Sequence, residues 1–306
     1  MHASFTRHRR QFRPMNQRFT TSSSFWIVLA AGVVIGAIAV ALFHSRSERK
    51  PSVDVAAPRP AGLRAFTGND QRRQLLFEQI QPVRLANCRL ERFGDLHDGG
   101  YLLCANLLTD VTAGYSYGIG GTDQWGCDVS RRLSISVHQF DCFDLRRPMC
   151  HGGKTIFHEE CVGSSRMNDQ KGRVFDTMEN QFQRNGDSRK RLVVKMDVEG
   201  SEWESFLSAP DELLRGIDQL AVEFHGIDGD RFLEVISSLK RHFYVVHLHF
   251  NNNRCQSASP FPANTYEMLF VSKRIGVLDP RAKPELPHPL DRPTNPSLPD
   301  CQLPKA

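Results

Sequence analysis

"VVKMDVEGSEW", Val193 to Trp203, is the stretch whose reading decides the fold. Together with Arg191 and Leu192 it opens as a short, β-branched apolar run of strand length, the kind a parallel sheet buries on both faces. A purely structural strand needs only that apolar part. Asp197 and Glu199 follow it, then Gly200 and the helix-like "SEWESFL", so two carboxylates stand where a strand turns into a helix. In an open parallel sheet that edge is where ligands bind.

Other segments repeat the pattern. "AGYSYGIGG", "LSISVHQFD", "KTIFHEECVG", "IDQLAVEFH", "FYVVHLHF" and "TYEMLFVSK" read as strands. "RVFDTMENQFQRN" and "GDRFLEVISSLKRH" read as helices, the second with Phe232, Leu233, Val235, Ile236 and Leu239 on one face, and a further helix is expected over Asn69 to Ile80. "GYLLCANLL" reads as a strand or hairpin piece after the turn at Asp98–Gly100. The alternation predicts an α/β fold: a Rossmann-like, doubly wound, mainly parallel sheet of seven strands with helices on both faces.

The strand ends carry the polar residues. The first ends in Gly118, Ile119, Gly120 and Gly121, where glycine permits positive φ and a close backbone approach. The second ends in Asp141, roughly twenty residues on, the offset of a carboxylate that accepts from ribose hydroxyls. Asp197 and Glu199, then Glu223 and His225, then His247, His249 and Asn251 end later strands. Each alone is commonplace: a glycine turn, a helix cap, a satisfied strand-end histidine. Their order along the chain suggests a convergent cleft.

"GYSYGIGG", "WGCDVS", "VHQFDCFD", "VVKMDVEGSEWESF", "QLAVEFHG", "HLHFNNNRC" and "TYEMLFVSK" together resemble the methyltransferase domain of the FkbM-like and methyltransferase-like families. "CRLERFGDLHDGGYLLC" resembles the lead-in of their membrane-anchored members. The similarity runs from about Pro82 to Lys273, and the DVEGSEW block is its most specific part. It implies a class I fold with S-adenosylmethionine (SAM) as methyl donor, Gly118 and Gly120 lining the SAM loop and Asp141 holding the ribose. One position departs: where such loops have an acid two residues before the first glycine, this chain has Ser116, and Asp123 is the candidate substitute.

Methyl transfer to a hydroxyl needs alignment and removal of a proton. Asp197, Glu223 and His225 are the candidate catalytic bases. Alternatively, Asp197, Glu223, His225 and His249 could ligate a divalent metal ion. The expected activity is O-methylation of a glycan, lipid or small metabolite. A glycosyltransferase on a short anchor, with "DVE" as its acidic metal motif, is the alternative reading, and a non-catalytic binding module is the third.

The rest of the chain bears on location. Phe25 to Phe43 is uncharged and long enough to cross about 30 Å of hydrocarbon. "AVA" at 39–41 offers a signal-peptide cleavage site, but the apolar run exceeds a usual h-region, so an uncleaved single-pass anchor is expected. Arginines before it predict a cytoplasmic N-terminus, with the domain on the lumenal side of a secretory or Golgi membrane if the source is eukaryotic. Gly32 and Gly36 form a GxxxG pair through which two such helices could pack as a homodimer. The organisation is therefore a basic arm (1–24), an anchor (25–43), a stalk (44–65), the domain (66–277) and a proline-rich tail (278–306) expected to be disordered or laid on the surface. Residues 1–64 hold ten Lys/Arg against two Asp/Glu, leaving 29 against 32 for the remainder. The domain thus lacks the basic excess of a nucleic-acid binder. Eight cysteines match no zinc spacing, and behind an export anchor they allow disulfides.

Overall fold

The structure, a computed structural model, describes residues 68–256 and 260–303. The basic arm, the anchor with Gly32 and Gly36, and the stalk lie outside the described residues. Among the described residues no helix is long and apolar enough to cross a membrane.

The chain begins with α1 (Gly68–Gln79), followed by a hairpin of β1 (Leu90–Gly94) and β2 (Gly100–Cys104). Then come β3 (Ala113–Tyr117), α2 (Gln124–Leu133), β4 (Ser136–Phe140) and β5 (Lys154–His158). Three short strands, β6 (Cys161–Val162), β7 (Met167–Asn168) and β8 (Val174–Asp176), form a small separate sheet ahead of α3 (Met178–Arg184). The segment expected to be one helix from Arg173 is thus a strand and a helix, because Thr177 caps α3 by accepting from Asn180 N. β9 (Leu192–Met196), α4 (Glu202–Leu207), α5 (Asp211–Gly216), β10 (Ile217–His225), α6 (Phe232–His242), β11 (Phe243–Phe250) and β12 (Thr265–Ser272) complete the order.

The main sheet has the order β11-β12-β10-β9-β3-β4-β5, and only β12 runs against the others. This is the expected seven-stranded, mainly parallel Rossmann-like sheet, with β12 inserted antiparallel before the last parallel strand. Every residue of β3 and β9 is buried, as interior strands covered on both faces require.

The two faces are covered differently. Met178 and Phe182 of α3, Trp203 and Phe206 of α4, Leu214 of α5 and Ile236 of α6 bury one face. The other is covered by Trp125 and Val129 of α2 and by Phe93, Tyr101 and Leu103 of the β1–β2 hairpin. Helices thus lie on both faces, as expected, but on the second face the β1–β2 hairpin joins α2 and brings Tyr101 over the tips of β9 and β10. Because side chains alternate along a strand, Val193, Lys195 and Asp197 project toward the hairpin face, while Val194 and Met196 join the other core.

All eight cysteines are paired, as Cys88–Cys104, Cys127–Cys150, Cys142–Cys161 and Cys255–Cys301. The last ties the tail to the domain. As proline dictates, the tail forms no helix, and through residue 303 it lies against the domain. His247 Nε2 meets Asp291 at 2.7 Å, His249 Nε2 meets Asp300 at 3.0 Å, and Asn252 donates to the carbonyls of Asn295, Leu298 and Pro299.

The contact between His249 and the tail makes stability depend on pH. Burial alone would lower the His249 pKa, but Asp300 and Glu267 raise it to about 10. The folded chain keeps that proton up to about pH 10, whereas the unfolded chain releases it near 6.5. Its contribution is therefore complete below pH 6.5 and lost as pH rises toward 10. Thermal melts should show a stability loss of up to about 1.4 kcal/mol per pH unit across that window. His249→Gln should remove the share of that slope that His249 contributes.

Candidate functional site

The chain order reverses at β3, whose neighbours are β4 on one side and β9 on the other. Ligands of open parallel sheets bind at such a switch point, outside the carboxyl ends of the strands. A cleft of about 530 Å³ opens there, lined by the Gly118–Gly120 loop, Asp123, Asp141 and Asp197–Glu199.

Glycine is required in the loop. Gly118 has φ +70°, and a Cβ there would stand 1.6 Å from the carbonyl oxygen of Asp197. The tips of β3 and β9 therefore close only because residue 118 has no side chain. At Gly120, with φ +54°, a Cβ would meet nothing within 4 Å. Lys195, buried in β9, props the same loop by donating to Gly118 O at 2.7 Å and Tyr117 O at 3.3 Å.

Asp141 does something other than wait for a ribose. Its Oδ2 accepts from Ile119 N at 3.1 Å and Gly120 N at 2.9 Å, and its Oδ1 from Phe143 N at 2.8 Å and Asp144 N at 3.0 Å. A carboxylate has about four acceptor positions, so all are taken. Asp141 also lines the cleft, so it holds the loop, and a hydroxyl reaching it shares or displaces one of these amides. Asp123 caps α2 through Gly126 N and accepts from Gln139 Nε2. Burial raises its pKa above the carboxylate norm. It does line the cleft, unlike the buried Ser116.

The turn after β9 explains the opening motif. Glu199 adopts φ +54°, unusual without glycine. Glu202 holds that shape: its Oε1 accepts from Val198 N at 2.8 Å and its Oε2 from Gly200 N at 2.9 Å. Fully buried, it also lies 3.1 Å from His225 Nδ1, which must carry the proton because a carboxylate only accepts. Burial by itself would lower the His225 pKa, but Glu202, and then the Glu223 and Asp197 charges, raise it to about 9. Glu202→Gln should replace one acceptor with a donor facing a donor and destabilise the domain by about 2–4 kcal/mol, read as a lowered melting temperature.

Asp197, Glu223 and His225 offer ligand atoms that all lie within 4.8 Å of one another. Tyr101, supplied by the hairpin, donates to Asp197 at 3.1 Å and reaches Glu223 at 3.4 Å. Asn251 Nδ2 donates to Glu223 Oε1 at 2.9 Å. Burial, then Asp197 and Glu267, push the Glu223 carboxyl well above its usual range. Asp197 is the member of the trio that borders the cleft. His249, expected as a fourth ligand, is held by Asp300 and Glu267 and does not belong to the trio.

Several of these residues escape sequence reasoning. Lys195 leaves a trace, since a lysine inside an apolar strand, two positions before Asp197, shares its face. Glu202 sits in a motif that looks like ordinary helix. Tyr101 has no local signal, because the docking of its hairpin is a tertiary fact.

The lining is unbalanced in charge: Asp95, Asp98, Asp123, Asp141, Asp144, Asp197 and Glu199 face one lysine, Lys195, with Arg146 beside the loop paired to Asp144. Phe140, Phe143, Val162 and Phe175 form an apolar wall in the same lining. The site therefore suits a ligand with a flat apolar part and a cationic part.

No protein-family model matches the chain, and no curated protein matches it. Among solved structures, a protein described as a DNA modification methyltransferase from an E. coli prophage overlaps it with a TM-score of 0.30 at 10% identity. That overlap covers 57% of this chain and 51% of the other, so this chain spans about half that protein's length. The Thermoplasma acidophilum protein 1320 overlaps with a TM-score of 0.29 at 12% identity, covering 57% and 82%. Overlaps this slight carry no argument about activity.

Proposed function

We propose that the domain is a SAM-dependent methyltransferase that modifies a hydroxyl of a glycan, lipid or small metabolite. The observation that carries this reading is the charge and shape of the cleft: seven carboxylates, one lysine and an apolar wall beside a glycine loop. SAM, when bound, supplies a methyl group already activated on a sulfonium. The apolar wall would take the adenine, and the carboxylates would attract the sulfonium and the amine. Gly120 leaves room for the ligand to approach the backbone. Asp197, at the mouth, would orient the acceptor hydroxyl and receive its proton, while Tyr101 fixes the carboxylate's direction.

The same features disfavour the glycosyltransferase reading. A sugar nucleotide brings a diphosphate, which needs free loop amides or cations. Here the amides of Ile119 and Gly120 already serve Asp141, and the surrounding charge repels phosphate.

We place the domain outside the cytosol, behind the anchor at 25–43. Four disulfides that use every cysteine support an oxidising compartment.

Isothermal titration of the full-length protein with SAM and with UDP-glucose tests the functional reading. One SAM per chain and no UDP-glucose is the expected result. UDP-glucose binding in place of SAM would make the domain a glycosyltransferase, and binding of neither would make it a non-catalytic module.

A further inference from the structure

We infer that Asp197, Glu223 and His225 form a divalent-cation site that holds the acceptor hydroxyl beside the SAM cleft. The inference rests on the methyltransferase reading for its role but not for its existence.

Three features of the trio point to a cation. Its donors are two carboxylates and an imidazole, delivered by adjacent strands β9 and β10 to one sheet edge. Mixed oxygen and imidazole donors suit manganese, iron or zinc better than calcium. Ligand atoms on one such ion stand at most about 4.3 Å apart, and those of the trio already lie within 4.8 Å of one another, with His225 Nε2 and Glu223 Oε1 at 3.8 Å.

The imidazole is buttressed from behind. Nδ1 faces the fully buried Glu202, which turns Nε2 toward Glu223 and Glu199, at 3.8 and 3.5 Å. A carboxylate behind a histidine is the arrangement that orients metal-binding imidazoles and fixes their tautomer.

The local charge also asks for a cation. Glu267 of β12 lies directly opposite Glu223 in the ladder, and like charges so placed are destabilising. Asp98 and Glu199 add to the same field, against the Lys195 ammonium, which lies 3.5 Å from Asp197 Oδ2 while donating to the Gly118 carbonyl. A cation here would displace a proton from His225 Nε2 and make a bound hydroxyl more acidic. One oxygen of Asp197 would bind the ion, leaving the other for the hydroxyl proton.

Manganese titration of the full-length protein, followed by EPR, tests this. One saturable Mn²⁺ per chain is expected, weakened about 10-fold or more by Glu223→Gln and by His225→Gln, and about 10-fold by Glu202→Gln. Thermal melts identify any variant that has lost its fold, and the other two then decide. Absence of saturable binding would overturn the site, as would binding unchanged in the folded variants. SAM is titrated in parallel. SAM binding without Mn²⁺ binding ends the metal site and spares the methyltransferase. Mn²⁺ binding without SAM binding keeps the site and ends the methyltransferase. Mn²⁺-dependent binding of UDP-glucose would overturn the assigned role by giving the ion a diphosphate to hold.

Discussion

Gly118→Ala should cost about 4 kcal/mol or more and abolish SAM binding. Two effects add. The residue would have to keep φ near +70°, a left-handed conformation that costs an L-residue about 1–2 kcal/mol. Its methyl would also stand 1.6 Å from the carbonyl oxygen of Asp197, which is backbone and cannot swing aside. Relief requires the tips of β3 and β9 to part, and with them Lys195's hold on the loop. Gly120→Ala is the informative contrast. Its methyl meets nothing within 4 Å, so stability should fall only by the left-handed cost of about 1–2 kcal/mol, while SAM loses close access to the backbone. Chemical denaturation and SAM titration of both variants separate the two costs.

Reduction of the disulfides should unfold the domain. In the chain-entropy picture, bridges closing loops of 16, 23, 19 and 46 residues each contribute roughly 3–4 kcal/mol. Together they rival the whole stability of an ordinary domain, about 5–15 kcal/mol. The bridges are also placed at the site. Cys142–Cys161 follows directly on Asp141, and Cys161 lines the cleft. Cys127–Cys150 pins α2, whose cap is Asp123. Circular dichroism at 37 °C, with and without dithiothreitol, should show loss of the native near-ultraviolet signal on reduction. Retention of that signal in the reduced protein would mean the core alone suffices.

Much of the architecture was legible because it rests on local pattern. Apolar runs such as Leu192–Met196 and the alternation with Phe232–His242 specify strands and a helix whatever surrounds them. The convergence of Gly118, Gly120, Asp123, Asp141 and Asp197 on one edge follows from topology, since parallel strands all end there. What the sequence hid is partnership. Asp141 looks free until its four amide donors are seen, and His249 looks like a ligand until the tail brings Asp300 to it. The tail itself, read from proline content alone, gave no sign of Cys301 reaching Cys255. In each case the deciding group is distant in sequence or is backbone, which residue type does not encode.

The central claim is that a SAM molecule lies between the β3 and β9 tips. Hydrogen exchange measured by mass spectrometry, with and without SAM, tests it directly. Exchange should slow in two segments, residues 118–122 and 197–201, with little change at the far ends of the same strands. Protection confined to another surface, or no protection at saturating SAM, would contradict the account.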